Sequence, residues 1–419
     1  MSSTVIPSIV SQHAEEAAFL WLLRSNAVSA PHYSLKDLAK LDGRVEAHLD
    51  GLRVAGEPGW ELCKAGLGNE ENGEVFAASV MAFESGVESR IQAVFEAIEK
   101  TPELCNGAVS GLGWVPFQQV VPHAQRLLAS ESPVHRLIGL AAYAVHRQDP
   151  GAALKDAISS TQLSLKTRAL KAVGELGKTN LLPLVKANFA DEDLTCRYWA
   201  AWSGALLGEP SAIPVLQRLV ESEHPKRESA CAMALRRMSV EQAQAWLKTL
   251  ANNPSTLRMA VQAAGVIGNP TNIPWLIQQM ANPIMARVAG ESFSFITGID
   301  LAYDDLDTNK PEGFEAGPTE NPEDENVEMD QDEDLPWPNP ELIKKWWFTH
   351  RLEFTNGTRY LLGKPMAIDS LNEALRMGKQ RQRTAAAIEL ASRQPPGTAL
   401  FNRSASGFRQ QALLGLKNA

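Results

Sequence analysis

The sequence predicts an all-α fold, a right-handed superhelix of stacked helical hairpins, interrupted by an internal acidic segment that contains proline. Three observations carry that expectation. Arginine recurs as Arg136, Arg168, Arg197, Arg227, Arg258 and Arg287, at intervals of 32, 29, 30, 31 and 29 residues. Gly177, Gly208 and Gly268 close the first half of their repeats, and Pro183, Pro214 and Pro274 stand six residues after each. Within a repeat the apolar residues return at helical spacing, as in Leu165, Ala169, Val173 and Leu176. A period near thirty residues is the mark of a repeat array.

Each element follows from those residues. The glycine suits a left-handed helix terminus, where a Cβ is penalised. The proline suits the first turn of the next helix, where the missing amide hydrogen has no helical partner anyway. Where glycine and proline are absent, other signals replace them. Asp149-Pro150 is expected to cap and start a helix, and Ser239 to Gln242 reads as a capping box. One hairpin cannot bury its apolar face alone, so hairpins must stack. The stretch from Leu104 through Trp114 to Leu128 reads as an earlier unit without the arginine, and the stretch around Arg383 as a later one.

Four regions result. Residues 1–100 are expected to be an N-terminal helical region and 101–295 the repeat solenoid. Residues 296–340 form the acidic, proline-containing segment, and 341–419 a C-terminal helical repeat or cap. At 419 residues and 44% hydrophobic content the chain supports a sizeable core. The longest apolar runs fall well short of the roughly 20 residues that cross a bilayer. Glu15 and Glu16 break the N-terminal run that a secretory signal would need, so a cytoplasmic location without membrane association is expected.

The repeats between Leu104 and Arg287 resemble HEAT repeats, of the short bacterial type similar to those of phycobilisome lyases, which share an arginine, an alanine run, a turn glycine and a proline-led second helix. The flanking blocks, LAKLDGRVEAHLDGLRVAGEPGWELC from Leu38 and the stretch from Ile296 to Trp347, extend the resemblance to a family of bacterial HEAT-repeat proteins often encoded beside type VI secretion genes. That resemblance implies a setting rather than a reaction.

Charge is concentrated. Between Asp304 and Asp334 stand fourteen Asp or Glu against the single Lys310, while the rest of the chain carries 35 acids and 39 Lys plus Arg. The net charge of −9 therefore belongs to this segment. Asp330, Asp332, Asp334 and Glu341 fall at spacings close to those of a calcium loop, but Leu335 replaces the glycine of the sharp turn and Pro336, Pro338 and Pro340 stiffen its second half. The segment is read instead as a counter-charge, docked on a basic face of its own array or offered to a basic partner. Phe314, Val327, Met329, Leu335 and Trp337 are its expected anchors.

No pattern here specifies a reaction. There is no G-x-S-x-G, no H-E-x-x-H, and Gly66-Leu67-Gly68 misses the dinucleotide spacing. Cys63, Cys105, Cys196 and Cys231 lie too far apart for a zinc module and read as small buried residues. No catalytic residue, metal or cofactor is expected. The ladder arginines are expected to be structural, each bonding acids or carbonyls of an adjacent unit. Asp330, Asp332, Asp334, Trp337, Trp346 and Trp347 are the candidate partner contacts, because tryptophan concentrates at interface hot spots.

The expected function is a non-enzymatic protein–protein scaffold or adaptor, accessory to type VI secretion as a cargo or spike adaptor. The alternative is an immunity protein that binds a toxin through the acidic segment. A lesser one is an enzyme like the HEAT-like DNA glycosylases, for which Trp199 and Trp202 would be the aromatic residues. A protein partner is expected and nucleic acid is not, because the acidic segment repels phosphate.

Overall fold

The computed structural model describes residues 6–318 and 328–416, so Val327 lies outside the described residues. Their regular structure is helical apart from two short ladders, and the fold is an all-α solenoid of helical hairpins. The ladders are Asp307–Thr308 with Trp337–Pro338 and Tyr360–Leu361 with Lys364–Pro365. The chain groups into two compact units. One comprises 1–29, 33–207 and 394–419, and the other 30–32 and 208–393. Their boundary falls inside the stretch 101–295, and the stretch 341–419 divides at Arg393.

In both units the six arginines lie in the N-terminal half of the first helix of a hairpin. Those helices are Pro133–Val145, Leu163–Glu175 and Leu194–Leu206 in the first unit. Arg227–Arg237, Leu257–Ile267 and Pro283–Thr297 follow in the second. Gly177, Gly208 and Gly268 take φ of 66°, 90° and 70°, the left-handed region in which their lack of a Cβ matters. Ser239 and Gln242 form the capping box. Asp149 behaves otherwise. Its carboxylate accepts from the Gly151 amide, and the helix Ala152–Ile158 starts after that turn, with no side-chain cap.

Small residues set the approach of neighbouring first helices. A Cβ on Gly174 would lie 2.6 Å from the Ser203 hydroxyl, and one on Gly265 would lie 3.0 Å from the Ser292 Cα. The serines use the space gained. Ser203 donates to the Leu170 carbonyl at 2.7 Å, and Ser292 to the Val261 carbonyl at 2.8 Å. The same interlock thus occurs in each unit. Its sequence trace is a second glycine three residues before the turn glycine, Gly174 before Gly177 and Gly265 before Gly268.

Each unit also carries an extended segment across the ends of its hairpins. In the first unit this is the C-terminal arm, which passes Gly177 so closely that a Cβ there would meet the Thr398 carbonyl at 2.5 Å. In the second it is the strand Tyr360–Leu361, whose Tyr360 carbonyl stands 2.3 Å from the Cβ position of Gly268. Arginines on these segments satisfy carbonyls that a helix end leaves open. Arg409 donates to Gly113, and Arg359 donates to Leu235 and Met238.

The four cysteines are free thiols. Burial pushes Cys63 and Cys231 up to about 12, which removes their nucleophilicity at neutral pH.

Candidate functional site

The site is built on the second unit, from the arginine ladder outward. Arg258 stands in the first turn of its helix and donates Nη1 and Nη2 to the two carboxylate oxygens of Asp332, at 2.8 and 2.6 Å. This two-point geometry is the strong form of an arginine–carboxylate bond. It raises the Arg258 pKa further. One hairpin later, Arg287 donates to Asp330 at 2.6 Å. Burial raises the Asp330 carboxyl, but hydrogen bonds from the Asp332 amide and from Arg287 outweigh it and leave the group below the usual carboxylate range.

Aromatic residues close over the same place. The Arg287 guanidinium lies 4.5 Å from the Trp337 ring and 5.8 Å from Phe314, and those two rings meet edge to face at 4.9 Å. Leu335 is buried. Trp337 is therefore part of the packing that fixes the segment, and Asp330 and Asp332 are engaged within the unit. Asp334 continues the path to His32, 3.3 Å away and half exposed.

The remaining sequence candidates fall elsewhere. Trp346 packs edge to face on Phe293 and stacks on His350, while Trp347 meets Phe354. Both are half-buried, and the exposed aromatic residue of their helix is Phe348. Arg168 bonds Glu175 of its own helix at 2.8 Å, and Arg197 donates to the Asp191 carbonyl at 2.9 and 2.5 Å. Arg136, Arg258 and Arg287 each keep a buried Nε with no hydrogen-bond partner among the described residues. Arg227 opens its helix at a half-buried position.

Beyond Asp332 the segment turns and becomes the wall of a cavity of about 720 Å³ that the sequence did not suggest. Leu335 and Pro336 line one side, and Leu301 and Leu361 line its apolar depth. Glu291 also lines it, held by Arg381, whose Nη1 reaches both carboxylate oxygens at 3.1 and 3.0 Å. Burial pushes the Glu291 carboxyl up, and the Arg381 charge only partly offsets that cost. Its signal in the sequence is plain once the helix is known: Glu291 is the only acid in PIMARVAGESFSFIT. Among the described residues no group of three or more His, Cys, Asp or Glu is placed to hold a metal ion.

A family model for HEAT repeats matches residues 151–236, which cover the hairpins carrying Arg168 and Arg197 and nearly all of the first helix of the one carrying Arg227. No curated protein matches the chain. The chain thus contains HEAT repeats, which serve in general as protein-interaction scaffolds. Among the described residues no helix is long and apolar enough to cross a membrane.

Proposed function

We propose that the protein is a non-enzymatic interaction scaffold whose second unit holds a protein partner. One observation carries the reading: two successive hairpins already grip an acidic polypeptide segment through equivalent arginines, Arg258 on Asp332 and Arg287 on Asp330. A repeat surface that fixes one extended chain and shapes a cavity beside it is suited to receiving another. The resemblance to proteins encoded beside type VI secretion genes supports a partner among secretion cargo or spike components, with the protein as adaptor.

A second reading, an immunity protein, draws on Asp304, Asp305 and Glu333, which are exposed on the same segment and would face a basic toxin. The glycosylase reading draws nothing comparable. Trp202 is buried, and Trp199 packs on it and on Lys171.

The test is capture of the tagged full chain from its native host, with a deletion strain assayed in parallel. A stoichiometric secreted or spike protein, with secretion lost in the deletion strain, is the expected result. A toxin as partner, with self-intoxication of the deletion strain, selects the immunity reading. Reproducible absence of any protein above the control overturns both.

A further inference from the structure

The cavity beside the acidic segment has a size, a lining and a charge that together specify a ligand class. At about 720 Å³ it lies within the roughly 300–1,000 Å³ of sites that enclose a ligand. Its depth is apolar, formed by Leu301, Leu361 and Ala374, all nearly inaccessible to water. At its edge stands Met377, 73% exposed on the last turn of the helix Ile368–Met377. A large flexible apolar side chain left in water at the mouth of an apolar cavity is the kind of surface that adapts to a peptide.

The mouth is electrostatically one-sided. Of the cations that line the cavity, Arg381 is taken by Glu291, and Lys364 by Glu373 at 2.5 Å. Asp334 faces His32. That leaves Lys379 against the exposed Asp300 and Glu333, with Asp304 and Asp305 exposed just beyond in the sequence. Carboxylates around a low-dielectric cavity focus a negative potential at its entrance, which attracts cations and repels anions. A phosphate or an acidic peptide would enter against that field. A neutral apolar ligand would gain nothing from it.

We infer that this cavity is the docking site for a basic peptide segment of a partner protein, with a large apolar side chain inserted among Leu301, Leu361 and Ala374 and lysine or arginine meeting Asp300 and Glu333. The inference names the partner surface within the scaffold reading and rests on it. The acidic segment then divides its residues by role, with Asp330 and Asp332 anchoring it, Leu335 and Pro336 walling the cavity, and Glu333 supplying the charge.

The test uses the full chain and a short fluorescent peptide of leucine and phenylalanine flanked by lysines, read by anisotropy at low salt. Saturable binding is expected. It should weaken by about tenfold or more when the lysines are replaced by glutamate or the apolar pair by serine. Ala374→Phe, which fills the cavity, and Glu333→Lys, an exposed change that leaves the fold intact, should each weaken the lysine peptide by a similar factor. Equal binding of the lysine and glutamate peptides overturns the inference, as does binding that neither variant alters. If a host partner is captured equally by wild type and by Glu333→Lys, the cavity assignment fails while the scaffold reading stands. If the peptide behaves as expected but the host yields no partner, the site stands and the scaffold reading fails.

Discussion

Both units hold a returning stretch of chain with arginines, and they do so by different chemistry. In the first unit the C-terminal arm is held largely through peptide carbonyls. Arg24 donates to Ser404 and Ala405, and Arg147 donates to Leu400. The carboxylate in this contact is Asp42, fully buried, which takes both Arg24 at 3.0 Å and the Gly407 amide at 2.6 Å. In the second unit the acidic segment is held through its own carboxylates, on Arg258 and Arg287. The first arrangement is a staple that salt screens little. The second is an ionic clasp in which one member of each pair, Arg258 or Asp330, keeps part of its surface in water while Asp332 and Arg287 are buried. It is more open to salt and acid than the staple, and it shapes the cavity. The same hairpin repeat thus supports a fixed closure in one place and a charge-controlled one in another.

The largest expected effect falls on the staple. Asp42→Ala leaves the Arg24 charge buried without its carboxylate and should cost about 3–5 kcal/mol, read as the unfolding free energy of the first unit. The ionic clasp should be weaker. Arg258→Ala with Arg287→Ala should cost about 1–2 kcal/mol per pair removed, confined to the second unit, because one member of each pair, Arg258 or Asp330, retains some contact with water. If the double variant destabilises the protein as much as Asp42→Ala does, the distinction between staple and clasp collapses.

Acid should sharpen the comparison in two separate windows. Burial pushes His146 of the first unit down to about 4, despite its 2.8 Å hydrogen bond to the Leu112 carbonyl. The unfolded chain, with an ordinary histidine near 6.5, binds the extra proton, so stability falls as pH drops from about 6.5 to about 4. Asp330 lies below the usual carboxylate range when folded. Its contribution is complete above about 3.9 and is lost as pH falls through the lower, folded value. An acid titration with probes in each unit should therefore loosen the first unit before the clasp. His146→Gln should narrow the upper window without touching the lower one, leaving the shares of His48 and His123, which burial also lowers.

The smallest effect concerns nucleic acid. Deleting 318–336 uncovers Arg258 and Arg287 and should raise nonspecific binding to DNA at low ionic strength, an increase that fades as salt screens it. Unchanged binding would mean that the clasp hides no usable positive surface.

The features legible in the sequence were the local and periodic ones. The arginine spacing put all six residues in the N-terminal halves of first helices, and the turn glycines are left-handed, because both depend on residues within one hairpin. The partners that close each arginine are not periodic. Arg168 and Arg197 find theirs seven and six residues away, whereas Arg287 and Arg258 find theirs 43 and 74 residues away. No spacing rule encodes a contact of that range. The cavity was hidden for the same reason, since Glu291, Leu335, Leu361 and Ala374 converge from separate stretches of chain. The arm from Gln394 was equally obscure, because Gly407 fits against Ala39 through the absence of a side chain, which leaves no pattern in the sequence.

Hydrogen exchange of the peptide 328–338 tests the central claim most directly, measured in wild type and in the Arg258→Ala, Arg287→Ala double variant at low and high salt. If the clasp holds the segment, its amides should be protected in wild type, lose protection in high salt and in the double variant, and leave the arm at 398–410 unchanged. Protection of 328–338 that survives both the substitutions and the salt would contradict the account.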